Sequence, residues 1–516
     1  MITDVPETVA AGRATVWGLF HERSRIDPTA IALSGAEGTL TFRELDDRVL
    51  RGAEMLRARG IGRGDRIALL SENRFAYLEI ELAAACLGVI VAAQNWRLSR
   101  DELRHCIGLV DPSLVITSER FADLFRSTGL DVPIVVIETD YEPAIADTPP
   151  LAKPPAVDPE DGLIILYTSG TTGMPKGALI SHRAEIARSS VYRMDLGIRG
   201  DDSFVAWSPM FHMAAADASL SCLMSGGTVH VIDGLNPRAI VDIIATQRIG
   251  WLILMPGAIE QIVDLMKAEG TRPHSVHLVG AMLDLVPLEV AAELTGLLGA
   301  PYLNSFGSTE TGLPPFSGSN IAAGQVAPRL SKRQSSLVEV RLVDGDRREV
   351  ADGDAGEAAV RGPTLFSGYW NAPEANRKDF ADGWFHMGDM FRRNPDGTVD
   401  FVDRAKYLIK SGGENIYPAE IERLLLADPR VRDAAVVRRL DRHWGEVPVA
   451  FVAPRLPDLT TEQIVAIFHG TLARYKHPRE VRLIEYDDLP RSTTGKILRH
   501  ELEILLRTDE HLEKLP

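Results

Sequence analysis

Cysteine is scarce. The 516-residue chain has three, Cys86, Cys106 and Cys222, and none stands in C-x-x-C spacing. Neither a disulfide framework nor a thiolate zinc motif is therefore expected, and the three read as reduced core residues. Positive charge is also in deficit: 56 Lys and Arg face 72 Asp and Glu, a formal net charge of -16. That balance disfavours general binding to nucleic acid or to an anionic membrane, and it obliges an anionic substrate to find local cations. Long apolar runs are missing too. The longest, residues 82–93, falls well short of the ~20 residues of a spanning helix. The opening MITDVPETVAAGR has early acids and no signal-type apolar run, so a cytoplasmic protein without a transmembrane segment is expected. No repeat at a fixed period is found.

What is present is alternating α/β pattern. At roughly 150 residues per domain the length suggests about three units. Thr41 with Glu44 makes a capping-box pattern, followed by apolar Leu45, Val49, Ala53 and Leu56 and a stop at Gly60. Residues 67–70 read as a strand; Phe75, Leu78 and Leu82 mark a helix that stops at Gly88. Residues 89–92 read as another strand, and Ser99 with Glu102 opens a further capped helix. This βαβα order predicts a parallel sheet between helices. Residues 148–160, TPPLAKPPAVDPE, hold five prolines and read as a connection or subdomain boundary. A second α/β unit is expected to about residue 330, with strands at 228–232 and 251–254. Short alternating segments at 338–343 and 357–361 then predict a small antiparallel sheet or barrel. After residue 402 an α+β tail is expected, with a helix over 418–426, strands at 434–438 and 447–452, a capped helix from Thr460 and a strand at 481–485. The expected fold class is α/β: residues 1–402 as a large domain with internal boundaries near 160 and 330, and residues 403–516 as a small one.

Residues 167–177, YTSGTTGMPKG, follow the apolar run 163–166. A strand that empties into glycines and hydroxyls suits phosphate. Gly170 and Gly173 let the backbone turn its N–H groups inward, Thr168, Ser169, Thr171 and Thr172 add short donors, and Lys176 adds charge. The common triphosphatase pattern fails, because Lys176 lies between Pro175 and Gly177. Taken alone, the stretch also reads as a Gly/Thr surface turn.

At residues 167–177, 209–212, 304–311, 384–389, 403–418 and 490–496, in family order and with family-like spacing, the sequence resembles the acyl-adenylate-forming enzymes. These are the acyl-CoA synthetases, the adenylation domains of peptide synthetases, and firefly luciferase. The resemblance implies a carboxylate attacking the α-phosphorus of ATP. Two anions must then be brought together, which calls for cations and a divalent metal.

Under that resemblance the loop Thr168, Ser169, Gly170, Thr171, Thr172, Gly173 with Lys176 holds pyrophosphate, Thr168 also serving as a magnesium ligand. In NSFGSTET, Ser305, Phe306, Gly307, Ser308, Thr309 and Glu310 form the adenylate motif, with Phe306 against adenine, Thr309 on the α-phosphate and Glu310 on magnesium. Phe306 stands where the family more often has Tyr, so a hydroxyl contact is lost. In WFHMGD, Asp389 takes the ribose hydroxyls; Met387 replaces a common Thr. Gly280 and Ala281 match a weaker adenine-side motif and read first as a strand-to-loop turn. In DRAKYLIKSGGENIYP, Arg404 contacts ribose or phosphate and Lys406 is the hinge of a mobile carboxy-terminal domain, although Tyr407 replaces a common Asp. Ser411, Gly412 and Gly413 line the CoA pantetheine tunnel. In PRSTTGK, Lys496 is the adenylation lysine bridging carboxylate and α-phosphate. His212 gates the carboxylate site or is a structural histidine, and residues 213–216 wall a pocket or form an ordinary core helix.

The expected activity is ATP- and magnesium-dependent acyl-CoA synthesis from a hydrophobic acid, medium-chain aliphatic or aromatic. Its partners are the acid, ATP and CoA, and the sequence leaves a homodimer open. One alternative is loading of a separate carrier-protein phosphopantetheine; the lack of a carrier or condensation domain in this chain favours CoA. The alternative from another class is a nucleotide-binding sensor that retains the fold.

Overall fold

The computed structural model describes residues 11–168, 174–411, 414–456, 458–469, 471–491 and 497–512. The chain forms two compact units: residues 1–339 with 360–385, and residues 340–359 with 386–516.

The first unit is built on two large sheets. One has six strands in the order Ile134–Val136, Leu114–Thr117, Arg66–Leu70, Ile90–Ala93, Gly162–Thr168, Lys176–Ser181. The first five run parallel, and Lys176–Ser181 closes the edge antiparallel to Gly162–Thr168. Helices cover such parallel strands on both faces, so they read as continuous apolar runs rather than alternating ones; all four residues of Ile90–Ala93 are buried. The helix Phe75–Leu87 is buried all round and ends at the left-handed Gly88. Its Glu79 is held by Arg48, Nε to Oε1 at 2.7 Å.

The other sheet has eight strands: Asn320–Ile321, Tyr302–Leu303, Ser275–Val279, Arg248–Leu252, Ser203–Ala206, Val229–Val231, Ile31–Gly35 and Gly38–Thr41. Its six inner strands are parallel and the outermost at each edge is antiparallel. The hairpin of residues 31–41 thus completes the second sheet while Lys176–Ser181 completes the first, so each sheet draws strands from both sides of residue 160.

Local signals are met where short-range bonds decide them. The Thr41 hydroxyl accepts from the Glu44 amide while the Glu44 carboxylate accepts from the Thr41 amide, opening Phe42–Ala58. Ser99 with Glu102 opens Arg100–Val110 in the same way, and Thr460 with Gln463 opens Thr461–Ile467.

In the second unit the hairpin Val431–Asp441 and Gly445–Pro454 is longer at both ends than its apolar centre predicts. Its two faces bury separate cores. Ala434, Val436, Ala450 and Val452 join Ile421, Leu425 and Ile464 of the helices Pro418–Leu426 and Thr461–Ile467. Ala435, Val437, Val449 and Phe451 join Leu502 and Leu506 of Arg499–Leu512. Strand alternation makes this possible, with each fully buried Val, Leu or Ile contributing about 1.5–3 kcal/mol. All three cysteines are buried. Burial pushes the thiols of Cys106 and Cys222 up to about 12. Among the described residues no helix is long and apolar enough to cross a membrane.

Candidate active site

In the first unit, Gly162–Thr168 delivers Thr168 opposite Lys176 across the sheet edge. The phenol of Tyr167, donating to the Cys106 carbonyl at 2.7 Å, and His105, 3.1 Å from the Pro175 carbonyl, anchor the two chain segments. Ser169, Gly170, Thr171, Thr172 and Gly173 lie outside the described residues.

Lys176 leads into a connected row. Its Nζ is 3.8 Å from the ring centroid of Tyr369 and 3.5 Å from Asp379 Oδ2. The Tyr369 hydroxyl donates to Glu310 Oε1 at 2.8 Å. Tyr369 is itself fixed by Asn376, whose side chain accepts from its amide at 2.7 Å and donates to its carbonyl at 2.8 Å. The Phe366 amide donates to the Glu310 carbonyl at 2.9 Å. Glu310 has no ion pair among the described residues, and its Oε2 takes part in no hydrogen bond among them. A loop cation, an aromatic face and a carboxylate therefore stand side by side.

The segment carrying Glu310 is fastened along its length. The Asn304 amide donates to the Leu330 carbonyl at 2.9 Å, and Asn304 Oδ1 accepts from the buried Lys332 at 2.9 Å. Lys332 also pairs with Asp284 at 2.5 Å. Ser305 Oγ accepts from the Met282 amide at 3.2 Å, joining this segment to the turn after Gly280 and Ala281. Phe306 is buried. Gly307–Ser308 pairs with Gly312–Pro315, and the Thr311 hydroxyl bonds the Pro314 carbonyl at 2.6 Å. Thr309 offers its carbonyl to Arg188 at 3.0 Å.

Gly280 has a positive φ of 87°, and a Cβ there would meet the Tyr302 ring at 2.2 Å. Trp251 Nε1 donates to its carbonyl at 2.7 Å. No side chain fits this turn, which is sufficient reason for glycine. His212 occupies the N-cap position of the helix Met213–Ser225, where its side chain makes no capping bond, and its ring lies 4.5 Å, centroid to centroid, from Phe211. Ala215 and Ala216 of that helix are core, and Met213 and Ala214 are half-buried.

In the second unit, Asp389 and Arg404 face each other across the pairing of Trp384–Arg393 with Val399–Arg404. Arg404 Nε is 3.0 Å from Asp389 Oδ1, and the carboxylate is almost fully buried. Asp403 accepts from the amides of Arg404 at 2.6 Å and Ala419 at 2.7 Å. Burial pushes its carboxyl up against the opposing pull of Arg499. Lys406 lies in the short turn Ala405–Tyr407, where its carbonyl accepts from Arg438 at 2.9 Å. Its Nζ is 4.8 Å from the Tyr407 ring centroid. Ser411 pairs with Glu414 and Gly445. Gly412, Gly413 and Lys496 lie outside the described residues; Arg491 and Ile497, on either side of the last, bridge each other.

Sequence reasoning missed Tyr369, Asp379, Arg188 and the Lys332–Asp284 pair. A signal existed for Arg188: it occupies the apolar stripe of Ala184, Ala187 and Val191, a position where a charge needs a partner.

The chain matches the family model described as AMP-binding enzyme over residues 20–370. Residues 420–496 match that for the AMP-binding enzyme C-terminal domain. It is 33% identical over 504 residues to the indoleacetate–CoA ligase of Aromatoleum aromaticum, covering 95% of this chain and 98% of that one. To the feruloyl-CoA synthase of an Amycolatopsis species it is 32% identical, covering 93% and 96%. The structure of o-succinylbenzoate CoA synthetase from Bacillus subtilis with its acyl-adenylate intermediate superposes with a TM-score of 0.82 at 26% identity, covering 95% and 98%. The chain belongs to the AMP-binding enzyme family, the adenylate-forming enzymes that the six motifs resemble. Within that family it is an AMP-forming acid–CoA ligase, a class whose co-substrates are ATP and CoA.

Proposed function

We propose that the protein activates a hydrophobic monocarboxylate, an aromatic acid before a medium-chain aliphatic one, as its acyl-AMP and passes the acyl group to CoA. The observation that carries this reading is the Lys176–Tyr369–Glu310 row beside the strand pair that flanks the phosphate-loop sequence. The preference for an aromatic acid rests on the names of the relatives, which act on indoleacetate and feruloyl substrates.

In the first half-reaction a carboxylate oxygen bonds to the α-phosphorus and the bond to the bridging oxygen breaks, releasing pyrophosphate. Lys176, with residues 168–173, neutralises that leaving group. Thr309 bonds the α-phosphate and Phe306 packs on adenine. Asp389 accepts from the ribose hydroxyls, Arg404 offsetting its charge, and Lys496 meets the charge that develops at the α-phosphate. Glu310, with Oε1 accepting from the Tyr369 hydroxyl, and Thr168 would hold a magnesium ion, which would supply positive charge to offset that of the phosphates. In the second half-reaction the CoA thiolate attacks the acyl carbonyl and AMP departs. We place the hinge for the change between half-reactions at Lys406, the thiol path along residues 411–413, and His212 between that path and the acid. The large and small domains divide near residue 402 on this reading.

Hydroxylamine trapping over short, medium-chain, long-chain and aromatic acids tests it. Hydroxamate forming fastest with aromatic acids supports the proposal, and product confined to long-chain acids contradicts it. Incubation with CoA against a holo carrier protein, followed by thioester detection, separates the carrier-loading alternative.

A further inference from the structure

Arg188 is among the largest fully buried side chains in the protein. It lies on the helix His182–Met194, which packs against Met213–Ser225 through a hydrogen bond between the Ser189 and Ser221 hydroxyls at 2.8 Å. Its Nη1 is 3.1 Å from Oδ2 of Asp217, which is buried as completely. The rest of the guanidinium is spent on backbone: Nη2 donates to the Thr309 carbonyl at 3.0 Å and Nε to the Thr364 carbonyl at 3.0 Å. Gly312 makes room for it. With φ at 74°, a Cβ at Gly312 would come within 2.7 Å of the Arg188 stem.

A buried guanidinium is costly unless it is paired and its donors are satisfied, and replacing such a pair by apolar groups commonly costs nothing in stability. Two more carboxyls, Glu185 and Glu81, are buried with Asp217 nearby. Burial first, and the Asp217 charge second, pushes both well above the ordinary range. Burial raises the Asp217 carboxyl as well, against the opposing pull of the Arg188 guanidinium beside it.

The two carbonyls that Arg188 bridges belong to the two segments that hold Glu310. Thr309 directly precedes it, and Thr364 is two residues before Phe366, whose amide bonds the Glu310 carbonyl at 2.9 Å. We infer that Arg188, oriented by Asp217, is a positioning residue for the proposed ATP site: it clamps Thr309 to Thr364 and so fixes where the Glu310 carboxylate points. This rests on the reading of Glu310 as part of the ATP site. Lysine would keep the charge but lacks the planar fork that reaches both carbonyls.

The test compares wild type with Arg188→Met/Asp217→Asn, which removes both buried charges together, and with Arg188→Lys. Three quantities are measured: hydrogen-exchange protection of peptide 304–312, the kcat of acid-dependent pyrophosphate exchange into ATP, and thioester formation from supplied acyl-adenylate. In the double variant, protection of 304–312 is expected to fall at least tenfold while that of 275–279 is unchanged. Exchange kcat is expected to fall at least tenfold, with thioester formation within twofold of wild type. Arg188→Lys is expected to give a smaller loss of the same pattern, which keeps the test decisive if the double variant does not fold. Wild-type protection of 304–312 in either folded variant overturns the inference, as does equal loss in both half-reactions. A wild-type protein that exchanges no pyrophosphate with any acid refutes the function instead, and the protection of 304–312 still decides the positioning role.

Discussion

Glu310 and Asp389 are the two carboxylates that the proposed function puts on the nucleotide, and the two units hold them in opposite ways. Glu310 receives a neutral phenol from Tyr369 and has no ion pair among the described residues. Asp389 is nearly inaccessible and sits 3.0 Å from the guanidinium of Arg404. A carboxylate with no ion-pair partner among the described residues suits a cation that arrives with substrate. One already balanced by arginine suits neutral hydroxyls, to which it can only offer lone pairs. On the proposed function this difference predicts a split between catalysis and binding: Glu310 should act on kcat and Asp389 on the KM for ATP.

The largest effect expected is at Lys496. Lys496→Ala should lower adenylation kcat by about a thousandfold, in line with loss of a group that meets transition-state charge. Thioester formation from supplied acyl-adenylate should persist; equal loss in both assays removes the assignment. Glu310→Gln should lower pyrophosphate-exchange kcat by about a hundredfold or more with little change in the KM for ATP. Asp389→Asn should do the reverse, raising that KM by about tenfold, which is about 1.4 kcal/mol. If both variants fall in the same parameter, the division of labour is wrong. Tyr369→Phe removes one hydrogen bond to Glu310 and should cost about fivefold in exchange kcat, in keeping with about 1 kcal/mol per bond.

An effect on stability rather than on catalysis sets the pH at which these variants are compared. His182 begins the helix that carries Arg188. Its Nδ1 accepts from the Val16 amide at 3.2 Å, and burial pushes its pKa down to about 4. The folded pKa lies below the unfolded value of about 6.5, so as pH falls from there towards 4 the unfolded chain takes up a proton that the folded one refuses. Stability from this group is full above about pH 6.5 and declines by about 3 kcal/mol across that window. Denaturant unfolding of His182→Gln should show a shallower fall over the same range than wild type; an identical slope contradicts the assignment.

Local chemistry was legible in the sequence, and distant pairing was not. The capping boxes at Thr41, Ser99 and Thr460 and the stop at Gly88 are decided within a few residues, and each stands where it was expected. The six motifs were sufficient to identify the family. The hydroxyl of Tyr369 reaches a carboxylate 59 residues away and Arg188 a carbonyl 121 residues away. One sequence carries no record of such encounters. Sheet membership was hidden for the same reason: nothing in residues 31–41 marks them as the edge of a sheet whose neighbouring strand is Val229–Val231. The helix Arg499–Leu512 was passed over because its apolar residues Leu502 and Leu506 gain meaning only against the far face of the hairpin.

The most direct test is acid-dependent exchange of labelled pyrophosphate into ATP, run with an aromatic acid on wild type, Glu310→Gln and Asp389→Asn above pH 7. The account predicts exchange in wild type, a collapse of kcat at an unchanged KM for ATP in Glu310→Gln, and a raised KM at near-normal kcat in Asp389→Asn. Absence of exchange in wild type with every acid tried, or full exchange kcat in Glu310→Gln, would contradict it.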